Sequence, residues 1–435
     1  MNMKETMNLN LPPHLQIKNG HLYIGDIDTV ELAAKYGTPI YVTDEKRLRE
    51  NFKVFKSAFP EAEIFYAAKA NSNLAIMKIL ASMGSGMDVF SGGELYLALL
   101  AGVPEKKILF NGNSKTIEEL RMAVQSGVRI SVDSMDELKL LSKIAQVEKK
   151  EAEIAFRVNP DISLNTHPKI ATGLKQSKFG IPYEEVIQTY RKAMQTNGVK
   201  VVGIHCHIGS QILEVSPFAE AARKMMKLVE EISKFIDLEF IDLGGGLGIP
   251  YDRRSGVKTP TPMDLAAAIL PEYENAAAKL GVKLKLILEP GRYIVGDTTV
   301  LLTKVTSVKR AYKNFANVDA GFNLLIRPVM YDAYHEVIIA NKADQEPKEF
   351  YQIAGPICET GDILARDRKL PELEQGDVIA ILDTGAYGFA MSSQYNLRPR
   401  CAEILVCNGR AEVIRERETY GDLVSKQILP PRLFK

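Results

Sequence analysis

The sequence predicts an α/β fold, a closed (β/α)8 barrel, followed by a second domain made mostly of β-strands. The first observation is that short runs of β-branched and aromatic residues alternate with stretches of helical periodicity from about residue 62 to residue 290. The second is that polar residues and glycines follow these runs, where barrel strands bind their ligands. The third is that the alternation stops after residue 293 and only strand-like runs follow.

The barrel is predicted from the number of its units. Strands alternating with helices form βα units and a parallel sheet, and about eight units in some 230 residues favour a TIM-like barrel over an open doubly wound sheet. Strands are predicted at residues 62–69, 86–90, 107–111, 129–133, 153–158, 201–208, 239–243 and 284–289. Helices are predicted at residues 72–83, 93–100, 116–125, 135–146, 184–195, 217–235 and 263–280.

A short N-terminal region precedes the barrel. Strand-like pieces at residues 22–24 and 39–42 flank a helix predicted at 30–36, and Asp44 is a candidate N-cap for a helix to about residue 58. We expect these strands to join the C-terminal β domain, because they otherwise have no sheet to complete. The C-terminal strands are predicted at residues 300–309, 337–339, 350–353, 378–382, 403–406 and 411–415.

The predicted domains are therefore a barrel at residues 45–295 and a discontinuous β-rich domain at residues 1–44 and 296–435. Two polar loops, 161–180 and 251–262, follow barrel strands on the ligand side. They either cover the site as lids or are solvated insertions.

The composition excludes several functional classes. The chain has 435 residues, is 46% hydrophobic and 25% charged, and has a net charge of +1, which gives no electrostatic basis for binding nucleic acid. No apolar stretch approaches the roughly 18 residues that span a bilayer, and residues 1–11 do not resemble a secretory signal. Four cysteines without CxxC spacing indicate a reduced, cytoplasmic protein. The low net charge and the short apolar stretches predict neither nucleic-acid nor membrane partners.

Lys69 ends the first predicted barrel strand. A lysine that loses solvation there is more easily deprotonated, and its amine can then attack a carbonyl carbon. Taken alone, such a lysine more often snorkels out of the strand end with a hydrated ammonium group. The other strand ends favour a functional site, because they carry Asp88, Asn111, Asp133, residues 157–159, His207, Gly209, Ser210, residues 244–246, Glu289, Gly291 and Arg292.

Residues 244–248 form a glycine run, Gly-Gly-Gly-Leu-Gly, directly after the seventh predicted strand. Glycines allow backbone N–H groups to approach an anion closely, although a tight turn alone also explains such a run. The loop after the eighth strand, residues 289–292, adds another glycine. Since late βα loops of these barrels commonly bind phosphate, the two loops together predict a phosphate site.

His205 and His207 alternate along one strand and so share a face. A metal site is conceivable there, but no third ligand follows at a telling spacing, and no metal is predicted. We expect His205 to be a core histidine. His207 lies beside Gly209 and Ser210 and is better placed to stack on a flat ligand.

A Schiff-base lysine and a phosphate site on one barrel point to pyridoxal phosphate (PLP). Glu289 then acquires a role, because a carboxylate beside the pyridine nitrogen keeps that nitrogen protonated and makes the ring a strong electron acceptor. A Schiff-base aldolase without PLP is the alternative for Lys69 alone, but its phosphate site would then hold only the substrate.

A longer series of segments resembles one family, the PLP-dependent decarboxylases with an alanine-racemase-like barrel. The series spans nearly the whole chain in the right order, which makes it far more specific than any single motif. Its segments are residues 66–71, 207–211, 244–248 and 289–292 in the barrel, and residues 319–323, 327–331, 355–359, 385–387, 391–396 and 398–400 in the second domain.

The resemblance implies roles for the candidate residues. It implies that Lys69, Cys358 and His207 are catalytic. The residues implied to bind PLP are Lys69, Asp88, His207, Ser210, Gly244, Gly245, Gly246, Glu289, Pro290, Gly291, Arg292 and Tyr387. The residues implied to contact the substrate are Arg292, Arg327, Tyr331, Glu359 and Tyr387. Without the resemblance, Arg327 and Glu359 are ordinary solvated or ion-paired side chains and Tyr387 belongs to the β-domain core.

The implied reaction is the decarboxylation of an amino acid. Within the family the match is closest to enzymes of meso-2,6-diaminopimelate, which release L-lysine and CO2 in the last step of lysine biosynthesis. The alternative substrates are ornithine, arginine and carboxyspermidine-type compounds. Arg327 favours a second substrate carboxylate, which ornithine and arginine lack, because arginine pairs with carboxylates bidentately. Glu289 disfavours an alanine-racemase-like reaction, and Lys69 with Cys358 disfavours an inactive barrel that binds a partner.

Cys358 has the most specific implied role after Lys69. The resemblance places it in the active site of the partner subunit of a homodimer, where it donates the proton that replaces CO2. Without the resemblance, the expectation is a buried and inert thiol. Cys206, Cys401 and Cys407 are expected to be structural.

Overall fold

The computed structural model describes residues 11–163, 176–281 and 283–434. The chain divides into two compact units, one formed by residues 1–47, 251–257 and 296–435 and the other by residues 48–250 and 258–295. The loop predicted at 161–180 falls largely outside the described residues. The assignment of residues 45–295 to one barrel domain stays a prediction.

The N-terminal region forms a small antiparallel sheet, a helix and one long-range strand. Asp28 caps the helix, because its carboxylate accepts a hydrogen bond of 2.8 Å from the Val30 N–H. The helix at 30–36 and the strand at 39–42 are confirmed, whereas two of the strands of the small sheet were not predicted. The elements are β1 Leu15–Lys18, β2 His21–Ile24, β3 Ile27–Asp28, α1 Thr29–Tyr36 and β4 Ile40–Asp44.

The next region alternates strands and helices, as the sequence predicts. Its elements are α2 Glu45–Ala58, β5 Glu63–Ala67, α3 Leu74–Ser82, β6 Gly86–Val89, α4 Gly92–Leu100, β7 Ile108–Phe110, α5 Ile117–Ser126, β8 Arg129–Val132, α6 Met135–Glu148, β9 Ala152–Asn159, β10 Ile181–Pro182, α7 Val186–Ala193, β11 Val199–Cys206, α8 Ser216–Ile232, β12 Phe240–Asp242, α9 Pro262–Leu280, β13 Lys285–Leu288 and α10 Arg292–Val295.

Eight of these strands form a closed parallel barrel in the order β5-β6-β7-β8-β9-β11-β12-β13. β13 returns to β5, with Ile287 opposite Glu63 and Leu288 opposite Ile64, and this pairing closes the sheet. The predicted (β/α)8 barrel is therefore confirmed. The short β10 pairs with β9 and was not predicted.

Several helices begin directly after strand ends at polar caps. Thr116 caps α5 in a reciprocal arrangement, in which its hydroxyl accepts from the Glu119 N–H and the Glu119 carboxylate accepts from the Thr116 N–H. Ser91 and Ser134 cap α4 and α6. Such caps satisfy N–H groups that a helix start leaves unpaired, and they turn the chain back along the outside of the barrel.

A cluster of fully buried apolar side chains unites the barrel strands. Gly203 on β11 makes room for the Phe240 ring, since a Cβ at position 203 would lie 2.4 Å from it. The barrel is therefore a packed core, and ligands are confined to its ends. The cluster consists of Phe65, Leu109, Ala155, Val202, Phe240 and Ile287.

The remainder of the chain is mostly β-structure. In its main sheet β4 pairs antiparallel with β14 and parallel with β20. One of the two predicted N-terminal strands therefore joins this sheet, whereas the other, β2, pairs with β1 and β3 in a separate small sheet. The strands β15 and β18 and the two helices were not predicted. The elements are β14 Thr299–Arg310, β15 Asn314–Val318, α11 Arg327–Met330, β16 Val337–Ile339, β17 Glu349–Ala354, β18 Ile363–Leu370, β19 Val378–Ile381, β20 Ala402–Cys407, β21 Arg410–Arg415 and α12 Tyr420–Val424.

Two apolar layers fill this unit. One lies between the main sheet and the N-terminal elements and contains Leu22, Ile24, Val300 and Ile404. The other contains Tyr41, whose hydroxyl donates to the Leu324 carbonyl at 2.6 Å. Across the described ranges, no helix combines the length and apolar character needed to cross a bilayer.

Replacing Phe240 by alanine tests the packed barrel core. Because Phe240 is fully buried in the cluster, we expect Phe240→Ala to lower the free energy of unfolding by about 3–5 kcal/mol, measured by urea denaturation. Val147→Ala is the control, since Val147 is 75% exposed and a surface change is worth no more than about 0.5 kcal/mol. Equal effects of the two substitutions would contradict a packed interior.

Candidate active site

Lys69 lies where the sequence predicts it, directly after strand β5. A 3-10 turn over Ala68–Ala70 carries it, and Asn73 then caps α3 by accepting from the Ala75 N–H at 2.9 Å. The Lys69 amine forms a short ion pair with the Asp88 carboxylate and lies 5.7 Å from the centre of the Phe90 ring. Its side chain is 30% exposed, so it is partly accessible to a ligand.

A chain of hydrogen bonds connects Lys69 to Glu289 across the barrel mouth. The Asn111 side-chain amide donates to Asp88 Oδ1 at 2.7 Å and to Glu289 Oε1 at 2.8 Å. Asp88, Asn111 and Glu289 are all buried and follow or end three different strands. The parallel barrel therefore brings an amine, an amide and two carboxylates into one network.

Glu289 is held as an anion. Burial alone would raise the pKa of its carboxyl, but the adjacent His205 and the positive charge of Lys69 outweigh burial and hold the pKa below its usual range. Asp242 behaves oppositely, because burial and then the negative charge of Glu289 raise its pKa well above the usual value. Of these two carboxyls, Glu289 is therefore the one that more readily carries the negative charge.

His205 is a core histidine, as expected, but it contacts the site. One ring nitrogen hydrogen-bonds Ser131 Oγ at 2.9 Å, and the other lies 3.5 Å from Glu289 Oε2. Together, His205, Asp242 and Glu289 place ligand atoms within 4.8 Å of one another. His207, the other histidine considered from the sequence, is not part of this group, and Glu289 already accepts a hydrogen bond from Asn111.

The glycine run fixes His207. The Gly245 N–H donates to His207 Nδ1 at 3.1 Å, so this nitrogen is an acceptor. Burial, followed by the nearby positive charges of Lys69 and Arg157, lowers the pKa of His207 well below its usual value. The ring is therefore neutral, and its proton is on Nε2.

Only glycine fits at these positions. Gly244 and Gly246 have φ values of 71° and 122°, and a Cβ at Gly245 would lie 2.0 Å from the Glu289 carbonyl oxygen. The glycine run therefore passes directly against the loop after β13, as expected for the two parts of one anion site.

The second loop packs against the lysine turn. A Cβ at Gly291 would lie 3.0 Å from the Cβ atoms of Ala67 and Ala70, and the Pro290 carbonyl accepts from the Ala67 N–H at 3.2 Å. Arg292 begins α10, and its Nη2 donates to Ser210 Oγ at 3.0 Å. Of the predicted residues, the barrel thus brings together Lys69, Asp88, His207, Ser210, Gly244, Gly245, Gly246, Glu289, Pro290, Gly291 and Arg292.

Arg327, in the β-rich unit, is buried rather than solvated. Its Nη1 donates to His335 Nε2 at 2.8 Å, and the guanidinium lies 4.2 Å from the centre of the Tyr251 ring. His335 Nδ1 in turn bonds the Leu382 carbonyl at 2.8 Å. Because a carbonyl only accepts, Nδ1 carries the proton and Nε2 accepts from Arg327.

Cys358 and Glu359 are exposed on the same unit, which corrects the expectation of a buried thiol. The Tyr395 hydroxyl donates to Glu359 Oε1 at 2.8 Å and lies 3.9 Å from Cys358 Sγ. Asn396 contacts both the backbone and the sulfur of Cys358. The sequence did not assign Asn396 a role.

Tyr387 and Tyr331 are half-buried in the β-rich unit. Tyr387 has a φ of 57°, a left-handed conformation that costs a residue other than glycine of the order of 1 kcal/mol. Such strain is typical of functional sites and distinguishes Tyr387 from an ordinary core tyrosine.

Glu94 is a site residue that the sequence reasoning missed. Its carboxylate accepts from the Phe90 N–H at 2.7 Å, and burial raises its pKa to about 7 against the opposing effects of that hydrogen bond and of Lys69. The sequence signal that could have drawn attention to Glu94 is its position three residues after Ser91, the spacing of a helix capping box. Asp242 was also missed, although it precedes the glycine run by two residues.

Comparisons with known proteins agree with this geometry. Residues 45–296 match the family described as pyridoxal-dependent decarboxylase, pyridoxal binding domain. The chain is 58% identical over 417 residues to a diaminopimelate decarboxylase of Archaeoglobus fulgidus, covering 96% of this chain and 99% of that one. It is 46% identical over 419 residues to a diaminopimelate decarboxylase of Aquifex aeolicus, with coverages of 96% and 98%.

A solved structure extends the comparison to the fold. The diaminopimelate decarboxylase of M. jannaschii in complex with L-lysine superposes with a TM-score of 0.92 at 44% identity, covering 97% of this chain and 99% of that one.

Glu94 should make stability depend on pH. Its pKa is about 7 in the folded chain, against an ordinary value of 4.5. The stability it contributes is therefore complete below pH 4.5 and is lost as the pH rises through 7. We expect the free energy of unfolding of cofactor-free protein to fall by on the order of 2–3 kcal/mol between about pH 5 and pH 8 from this group, and Glu94→Gln to abolish that part of the fall.

Urea denaturation at the two pH values checks this expectation. Glu118→Gln is the matched control, because Glu118 is exposed in the first turn of the next helix. The control should keep the wild-type pH dependence. A Glu94→Gln profile identical to wild type would contradict the buried, proton-binding state of Glu94.

Proposed function

The chain belongs to the pyridoxal-dependent decarboxylases, and from this premise we propose that it converts meso-2,6-diaminopimelate to L-lysine and CO2 with pyridoxal phosphate as cofactor. The relatives at 58% and 46% identity carry the name diaminopimelate decarboxylase, and the M. jannaschii structure contains L-lysine. Neither name favours ornithine, arginine or carboxyspermidine.

The site fits pyridoxal phosphate in its chemistry. The glycine run lets a phosphate approach the backbone without obstruction from side chains. Its Gly244 and Gly245 N–H groups already donate to Asp242 and His207, so these two glycines contribute close approach. Glu289 is an anion able to bind a protonated pyridine nitrogen. Lys69 supplies the amine in the network that Asn111 connects to Glu289. When bound, the cofactor supplies an electron-accepting ring that takes up the electron pair left by the breaking bond to the carboxylate.

Lys69 would hold the cofactor aldehyde covalently and surrender it to the amino group of the substrate. Asp88 accepts a hydrogen bond from the Lys69 amine and would keep that amine in place while no cofactor is attached to it. Glu94 adds a proton-binding carboxyl close to the same amine, since the charge of Lys69 contributes to its pKa. These groups orient the amine and hold protons next to it.

His207 and Glu289 would act on the cofactor ring. The neutral His207 imidazole, fixed by the Gly245 N–H, would stack on the ring. Glu289 would keep the pyridine nitrogen protonated, because its pKa is lowered while that of the neighbouring Asp242 is raised.

The phosphate would be held by the loops after β12 and β13 and by one residue of the β-rich unit. Arg292 Nη2 already orients the Ser210 hydroxyl at 3.0 Å. The residues assigned to the phosphate are Ser210, Gly244, Gly245, Gly246, Gly291, Arg292 and Tyr387, with Pro290 shaping the loop.

The substrate would be bound at its far end by fixed charges. Arg327 is suited to a carboxylate, because its planar guanidinium can donate two parallel hydrogen bonds to the two carboxylate oxygens. Glu359 is suited to the distal ammonium group. Arg292, Tyr331 and Tyr387 complete the proposed substrate contacts.

Cys358 would donate the proton that replaces CO2. We propose a homodimer in which each subunit supplies Cys358 to its neighbour's site, and the exposure of this thiol supports that arrangement. A thiol acid must remain reduced, which favours the cytoplasm. We also propose residues 45–295 as the cofactor-binding domain, with residues 1–44 and 296–435 as the second domain.

The observation that carries the proposal is the network from Lys69 through Asp88 and Asn111 to Glu289. It pairs a reachable amine with an anion kept charged inside the barrel. A Schiff-base aldolase needs the amine but gives no use to the buried anion.

Turnover of defined substrates tests the proposed function. The cofactor-loaded protein should release CO2 and L-lysine from meso-diaminopimelate and release CO2 far more slowly from ornithine or arginine. Lys69→Ala should lower kcat by at least about 10³-fold, because a covalent attachment is lost. Lys69→Arg controls for the positive charge and should be equally inactive. Borohydride trapping of an adduct at another residue would refute the assignment of Lys69.

Glu289→Gln tests the role of the anion. The substituted amide could still bond Asn111 but would carry no charge, so the pyridine nitrogen would lose its counter-ion. We expect kcat to fall by roughly 10²–10³-fold with cofactor still bound, as for other charge-stabilising groups. Steady-state kinetics together with the absorbance of the bound cofactor measure both quantities. Full turnover in Glu289→Gln would show that the carboxylate is structural.

A further inference from the structure

The side-chain amide of Asn396 forms hydrogen bonds with both the backbone and the sulfur of Cys358. The Cys358 backbone N–H donates to Asn396 Oδ1 at 3.0 Å. The other end of the same amide, Nδ2, donates to Cys358 Sγ at 3.1 Å. One side chain therefore fixes both the main chain and the sulfur of this cysteine.

The orientation of the amide is determined by its contacts. A backbone N–H only donates, so the amide atom that faces it must be the oxygen. The atom that faces the sulfur is then the NH2 group. The sulfur accepts this hydrogen bond through a lone pair, and its own hydrogen stays available for another acceptor.

The backbone is shaped to present this amide. Asn396 has a φ of 56°, a left-handed conformation that asparagine tolerates better than most residues. The preceding Tyr395 is held by its hydrogen bond to Glu359 and by stacking of its ring on Phe322, with ring centres 5.8 Å apart. The turn that carries Asn396 is thus anchored on both sides of the sulfur.

Tyr395 does not take over this role. Its hydroxyl hydrogen is committed to Glu359 at 2.8 Å, and its oxygen lies 3.9 Å from Sγ. The hydrogen bond to Glu359 is the main reason that the pKa of Tyr395 is raised to about 12. Asn396 is therefore the closer hydrogen-bond donor to the sulfur.

We propose that Asn396 is a positioning residue for Cys358, which fixes the sulfur and stabilises the thiolate left after proton transfer. The inference rests on the proposed function. In that step the S–H bond breaks, its proton joins the carbon that lost CO2, and the electron pair stays on sulfur. The Asn396 N–H group then bonds the thiolate until a proton from water restores the thiol.

Two substitutions separate the hydrogen bond from the backbone conformation. Asn396→Asp keeps the shape and the acceptor for the Cys358 N–H but places an anionic oxygen against sulfur. Asn396→Gly keeps the left-handed backbone and removes both contacts. Asn408→Gly is the matched control, because Asn408 is exposed and has a similar φ of 50°.

The first readout is alkylation of Cys358 by iodoacetamide in the cofactor-loaded protein from about pH 6 to pH 10, located by peptide mapping. Alkylation reports the thiolate. We expect Asn396→Asp to move the pH profile upward by about one unit or more, a tenfold slowing at fixed pH. Asn396→Gly should shift it less, and Asn408→Gly not at all.

The second readout is the separation of kcat from KM. Because Asn396 contacts the sulfur, Asn396→Asp should lower kcat about tenfold or more and leave KM within about twofold. An unshifted alkylation profile in both variants, with circular dichroism unchanged, would overturn the proposal. Alkylation needs no turnover, so it judges Asn396 even if diaminopimelate proves to be the wrong substrate.

Discussion

The constraint on which the site depends is the cost of burying several carboxylates in one barrel. Asp88, Asp242 and Glu289 are all buried at the same end, and an isolated charge there would be strongly disfavoured. Lys69 forms an ion pair with Asp88, burial and the charge of Glu289 raise the pKa of Asp242, and His205 and Asn111 lie next to Glu289. The result is one anion of fixed position, which is the condition for holding a cationic ring nitrogen.

The site also requires that the backbones of neighbouring loops approach one another closely. This requirement explains why small residues cluster at this end of the barrel. Gly245 and Gly291 lie where any side chain would collide with the neighbouring loop, so the anion loops and the lysine turn pack against one another directly. The Gly245 N–H is thereby available to His207, and the same packing that shapes the loop also sets the tautomer of the ring.

The sequence predicted those features that depend on local pattern or on strand ends. All eight barrel strands were found because β-branched runs alternate with capped helices. The placement of Lys69 and Glu289 at the same end of the barrel follows because the carboxyl ends of parallel strands meet there. The strand Ile363–Leu370 was missed because four of its residues are charged and its burial pattern is irregular. The raised pKa of Asp242 and the two hydrogen bonds between Asn396 and Cys358 depend on tertiary contacts between distant segments. No local sequence pattern encodes such contacts.

The β-rich unit shows the same electrostatic logic with the opposite sign. Arg327 is buried, it donates a hydrogen bond to His335, and its guanidinium lies against the ring of Tyr251. The nearby carboxyl of Asp383 is instead bonded by Arg253, which donates to it through both terminal nitrogens. A buried cation is costly for folding. Its cost is understandable if that charge binds an anionic group of the substrate, as we propose that the buried Glu289 binds a cationic group of the cofactor.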